Sequence, residues 1–131
     1  MMPKNAKNAD RLVLVADDEP DILSTAKQIL NVFGYPSVLV QEAGAIFDTA
    51  LERKPMVILQ DMLMPGLQLQ KLVQQLHTHP ETKDIPIVLF SASATVRETV
   101  KKVGVDGFIL KPFDLKQLRA MLEKYAAQAH S

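Results

Sequence analysis

No cysteine occurs in the 131 residues. Disulfides, thiolate zinc sites and cysteine nucleophiles are therefore excluded, and a reducing compartment is allowed. Net charge is missing too. Fifteen basic and fifteen acidic side chains cancel, which removes any bulk electrostatic case for binding nucleic acid or a membrane surface. No apolar run approaches the roughly 20 residues that span a bilayer. The opening stretch MMPKNAKNAD is polar and lacks the apolar core of a signal peptide. Internal repeats, low-complexity tracts and linkers are also absent. The expectation is a cytoplasmic domain with no membrane contact and no direct nucleic-acid binding.

What is present is an ordinary globular composition, 47% apolar and 23% charged. The length suits one domain with a real core. Residues 1–10 read as a flexible lead-in and residues 11–131 as a single domain, with no second domain expected.

Short apolar runs alternate with amphipathic stretches. Leu12 to Ala16 (LVLVA) has the continuous character of a strand buried on both faces. It stops at Asp17-Asp18-Glu19-Pro20, and Pro20 suits the first turn of a helix. Ile22, Leu23, Ala26, Ile29, Leu30 and Phe33 then recur at helical spacing, with Gly34 as the stop. Ser37–Val40 is a second strand, and 45–53 a short helix. The third strand opens at Met56, and Pro65-Gly66 turns the chain into a helix carrying Leu67, Leu69, Leu72, Val73 and Leu76. A polar loop is expected over 77–86. A strand over 87–90, a helix over 96–103, a strand over 108–110 and a last helix capped by Asp114 complete the pattern. The apolar stripe of that last helix is Leu115, Leu118, Met121, Leu122 and Tyr125. Five strands alternating with five helices predict an α/β fold, a doubly wound parallel sheet with right-handed crossovers.

In such a sheet, ligands bind beyond the carboxyl ends of the strands. Those ends carry Asp17 and Asp18, then Asp61, Ser91 and Lys111. An acid at the exit of a buried strand is costly unless something pairs with it. Three neighbouring carboxylates repel one another, and a divalent cation removes the conflict. Hard oxygen ligands suit Mg²⁺. A carboxylate can serve as a nucleophile and form an aspartyl phosphate. A lysine and a hydroxyl can neutralise and bind phosphoryl oxygens.

These motifs together, Asp17-Asp18-Glu19, Asp61-Met62-Leu63-Met64-Pro65-Gly66, Ser91-Ala92 and Lys111-Pro112-Phe113, resemble those of response-regulator receiver domains of two-component phosphorelay systems. The likeness covers essentially residues 10–128. It implies a flavodoxin-like (βα)5 sheet in the order 2-1-3-4-5. It implies Asp61 as phosphoacceptor, receiving the group from a sensor histidine kinase or a histidine phosphotransfer protein. Mg²⁺ would be held by Asp18 directly, by Asp17 through water, by Asp61 and by the Leu63 carbonyl. Lys111 would pair with Asp61 or the phosphoryl group. Ser91 and Phe108 would act as the switch, moving the face made by helix four, strand five and helix five toward an unidentified downstream protein. The basic side chains Arg97, Lys101, Lys102, Lys116, Arg119 and Lys124 lie on those last two helices.

The sequence departs from the family pattern at Gln68-Leu69, where Asp-Gly is usual. Leu63 and Ser93 occupy positions that tune dephosphorylation, and Leu63 has no polar group to place a water. Phe108 lacks the hydroxyl of the common tyrosine. The competing readings are a Mg²⁺-dependent phosphatase with an Asp nucleophile, a flavodoxin-like cofactor binder, and a receiver-like scaffold that is not phosphorylated. The phosphatase pattern wants Asp-x-Asp, and here the acids are adjacent. The cofactor binder wants a Gly/Ser/Thr-rich phosphate loop, and here two acids would repel a phosphate. Retention of all five site residues speaks against the scaffold. The expected role is signalling rather than turnover of a separate substrate. His77, His79 and His130 read as surface residues. Met62 and Met64 flank the site and are expected to line it.

Overall fold

Every side chain of Val13–Ala16 is buried, which is why the run is apolar without interruption. It is β1 of a five-stranded sheet in the computed structural model, which describes residues 11–129. The expected lead-in over 1–10 and His130 lie outside the described residues. The other strands are β2 (Ser37–Val40), β3 (Val57–Asp61), β4 (Ile87–Ser91) and β5 (Gly107–Leu110). All neighbours pair in parallel, in the order β2-β1-β3-β4-β5. The helices are α1 (Pro20–Phe33), α2 (Ile46–Arg53), α3 (Leu69–Thr78), α4 (Val96–Val103) and α5 (Leu115–Ala129). This is the doubly wound sheet that the alternation predicts.

Strand pleating sends successive side chains to opposite faces. Val13, Val15, Val57, Leu59, Val88 and Phe90 meet Leu23, Ala26 and Leu30 of α1 and Leu118 and Leu122 of α5. Leu14, Ala16, Ile58 and Ile87 meet Ile46 and Ala50 of α2 and Leu72, Val73 and Leu76 of α3. A smaller cluster of Met62, Leu89 and Val96 seats α4. Each fully buried leucine among these contributes about 2 kcal/mol of transfer free energy.

The helix ends follow their sequence signals. Pro20 opens α1, and Gly34 closes it with φ 88°, its N–H donating to the Asn31 and Leu30 carbonyls. Asp114 Oδ1 accepts from the backbone N–H groups of Lys116 and Gln117 at 3.0 and 3.1 Å, capping α5 as expected.

Three local expectations are corrected. Leu115 is 51% exposed. It shares the helical face of Leu118 and Leu122 but stands in the first turn of α5, open to solvent. Leu67 precedes α3, in a turn where its N–H donates to the Met64 carbonyl at 3.0 Å. The polar stretch after Leu76 begins as helix, because α3 runs to Thr78. The buried Thr82 hydroxyl donates to the Leu76 carbonyl at 2.6 Å and holds that end closed. No helix among the described residues is long and apolar enough to cross a membrane.

Candidate functional site

Parallel register brings the acids level. Ala16 is paired with Gln60 across β1 and β3, so Asp17, one residue on, stands beside Asp61. On the other side Asp61 is paired with Phe90, and Ser91 with Leu110, so Lys111 follows directly on the β5 side. Asp17, Asp18 and Asp61 each offer a carboxylate oxygen, and these atoms lie within 4.8 Å of one another. Asp17 and Asp61 are buried, and Asp18 is half-buried.

One ammonium serves two of these acids. Lys111 Nζ donates to Asp17 Oδ2 at 2.9 Å and to Asp61 Oδ1 at 3.4 Å. The expected pairing with Asp61 is present, and Asp17 is the closer partner. Asp17 Oδ1 accepts the Glu19 N–H at 2.8 Å, so both of its oxygens are engaged. Asp61 Oδ1 also accepts the Leu63 N–H at 3.3 Å, which leaves Oδ2 outside these contacts.

Burial and the field of Asp17 raise the Asp61 carboxyl from 3.8 to about 6, against the opposing pull of Lys111. Desolvation by itself would lower the Lys111 ammonium. The hydrogen bond to Asp17 and the fields of Asp61 and Asp17 outweigh it and hold the lysine above its ordinary value. Among the described residues a single lysine pairs with this cluster, which leaves it under-neutralised, and three hard oxygen donors are the ligand set a small divalent cation takes.

Ser91 is buried at the end of β4, its Oγ accepting the Ser93 N–H at 2.9 Å. Ser93 Oγ accepts from Thr95 N at 3.2 Å and contacts Thr95 Oγ1 at 2.8 Å, so it shapes the entry to α4. Phe108 is half-buried against the cluster of Met62, Leu89 and Val96, with the Arg97 guanidinium 5.3 Å from its ring centroid. The other basic side chains of α4 and α5 are exposed. Leu63 is 71% exposed at the rim.

Met62 and Met64 do not line the site. Both are buried, Met62 in the α4 cluster and Met64 against the α2 and α3 side. Sequence reasoning also passed over Gln60. It is fully buried one residue before Asp61, and its Nε2 donates to the Asp61 carbonyl at 3.0 Å and to Met64 Sδ at 3.3 Å. The signal was a lone amide inside the apolar run MVILQD.

Residues 13–123 match the family described as the response regulator receiver domain. The chain belongs to that family. Members of it are signalling proteins. The sequence is 30% identical over 115 residues to the phosphate regulon transcriptional regulatory protein PhoB of Pseudomonas aeruginosa, covering 86% of this chain and 50% of that protein. The chain spans about half the length of the curated relatives it matches. The receiver fold resembles the signal receiver domain of a signal transduction histidine kinase from Syntrophus aciditrophicus. That match has a TM-score of 0.75 at 28% identity, over 89% of this chain and 90% of that one. It also resembles the receiver domain of a sensor histidine kinase from Pseudomonas aeruginosa, with a TM-score of 0.80 at 21% identity, over 88% of this chain and 97% of that one. The latter domain holds a magnesium ion in its active-site cleft.

Proposed function

We propose that residues 11–131 form a receiver unit in which Asp61 accepts a phosphoryl group from a histidine kinase or histidine phosphotransfer protein. The observation that carries this is one lysine shared between Asp17 and Asp61, within a cluster of three carboxylates.

Asp61 Oδ2, outside the contacts that fix Oδ1, attacks phosphorus. An O–P bond forms and the N–P bond of the donor's phosphohistidine breaks. The electron pair goes to the imidazole nitrogen, which takes a proton from solvent. Phosphoryl transfer depends on position and charge compensation. Lys111 supplies a fixed positive charge beside the acceptor. Asp17, Asp18, Asp61 and the Leu63 carbonyl are the groups that would hold Mg²⁺. The three carboxylates fit it as hard donors in excess of their one ammonium, and the magnesium of the Pseudomonas receiver supports the assignment. The bound ion would neutralise phosphoryl oxygens. Ser91, at the end of the adjacent strand, donates its hydroxyl to the new phosphoryl oxygen. Phe108 packs beside that strand and responds through packing alone. The chain acts on no separate substrate, and its output goes to a protein partner over the α4, β5 and α5 face, with no direct nucleic-acid contact. A cytoplasmic site of action fits a kinase-linked signal.

Acetyl phosphate with Mg²⁺, read by intact mass and amide spectra, tests the proposal. A base-labile adduct on Asp61, absent from Asp61→Asn, is expected. Steady turnover of small phosphate esters would favour the hydrolase instead, and no adduct in either protein would favour the scaffold.

A further inference from the structure

We propose that Gln60 is a positioning residue for the chemistry at Asp61, acting as a clasp under the loop that runs from Asp61 to Met64. The proposal rests on the assignment of Asp61 as phosphoacceptor. Gln60 points away from the site, into the sheet face covered by α2 and α3, where its register neighbours are Ala16 and Leu89. It is fully buried in a place where a leucine would pack.

The amide puts its two N–H groups on the two ends of one turn. One goes to the Asp61 carbonyl at 3.0 Å and the other to Met64 Sδ at 3.3 Å. The hydrogen-bond network sets this orientation, since exchanging oxygen and nitrogen would set a carbonyl oxygen against the Asp61 carbonyl. Its Oε1 is buried with no hydrogen-bond partner among the described residues. Leaving a buried acceptor unmade opposes folding. An apolar side chain of similar volume would avoid that cost but would also take the Gln60 donor from the Asp61 carbonyl, so on balance the amide adds little to stability. What the amide contributes is its donors. They tie down the stretch whose Leu63 N–H orders the Asp61 carboxylate at 3.3 Å and whose Leu63 carbonyl is the proposed metal ligand. The loop is thus held through its backbone by Gln60 and through the Asp61 carboxylate by Lys111.

The consequence is a separation of stability from function. In Gln60→Met the folded state should melt at the same or a higher temperature in metal-free buffer. Amide exchange at Met62, Leu63 and Met64 should be faster than in wild type. Mg²⁺ affinity should fall roughly tenfold, the scale on which outer residues act on a metal site. Phosphorylation by acetyl phosphate should slow in parallel. Gln60→Leu is the second variant and should behave alike. Unchanged loop exchange with unchanged Mg²⁺ affinity would overturn the clasp, as would a lowered melting temperature with the loop unaltered. Failure of both variants to fold would overturn it too, because an apolar residue is claimed to be tolerated. If wild type neither binds Mg²⁺ nor takes up phosphate, the assignment of Asp61 fails. The exchange comparison in metal-free protein then still decides the clasp.

Discussion

The Lys111 ammonium lies 2.9 Å from the Asp17 carboxylate, joining residues 94 apart in sequence across the carboxyl end of the sheet. Asp17 is fully buried, and the lysine side chain is only 17% exposed. The pair closes β1 to β5 over the intervening β3 and β4, and it sets the charge balance around Asp61.

Lys111→Ala removes the cation that, among the described residues, pairs with both buried acids. Breaking a buried pair by deleting one partner costs about 3 kcal/mol or more. The variant should lose that much in metal-free buffer. Mg²⁺ should restore a larger share of stability than it adds to wild type, since the ion takes over the neutralisation. Urea unfolding with and without Mg²⁺ measures both. Equal stability of the two proteins without metal would show that the lysine is not what stabilises the acids.

Asp61 makes stability depend on pH. Its carboxyl titrates at about 6 in the fold and near 3.8 when free of it. Between those values the folded state keeps a proton that the unfolded chain has shed. The folded state is therefore favoured at low pH, and that advantage is lost as pH rises through about 6. Above it, ionised Asp61 opposes folding. Allowing for partial solvent access, Asp61→Asn should gain on the order of 2 kcal/mol at pH 7.5 in metal-free buffer and nothing near pH 3.5. Denaturation curves across that range test this, and a pH-independent difference would contradict it.

The strand exits were readable because each buried run stops abruptly at a polar residue. Asp17, Asp61, Ser91 and Lys111 are found together for that reason. Periodicity places residues on elements but does not choose partners across 94 positions, so the preference of Lys111 for Asp17 was not readable. Met62 and Met64 misled because pleat alternation no longer applies in the loop beyond β3. The two side chains there diverge into separate clusters. Leu115 shows that a residue on the apolar helical face can still be exposed in the first turn.

Leu63 stands 71% exposed at the rim of the site with no polar atom on its side chain. It cannot hold an attacking water against an aspartyl phosphate. Leu63→Asn supplies an amide that can, and the phosphoryl half-life should shorten by a few-fold or more. Decay of the adduct followed by mass in the two proteins gives the answer, and identical half-lives would remove this position from the control of dephosphorylation.

Leu69 shows what the departure from Asp-Gly does in this chain. It is the first residue of α3, half-buried, and it packs against both the α2–α3 cluster and the cluster under α4. The preceding Gln68 makes no side-chain capping bond. The departure therefore exchanges a capping acid and a flexible glycine for apolar contact between two clusters. Leu69→Gly should lose about 2 kcal/mol, from lost burial and from glycine in the first helical turn. Gln68→Asp should recover about 1 kcal/mol by capping α3. The hydrogen bonds and ion pairs that hold the side chains of Asp61, Asp17 and Lys111 run through Glu19 and Leu63 and among those three residues themselves, so the rate of phosphorylation by acetyl phosphate should match wild type in both variants. Urea unfolding and the acetyl phosphate assay, run on the same preparations, separate the two effects. A slowed reaction in a stably folded Leu69→Gly protein would mean that this packing reaches the phosphorylation loop.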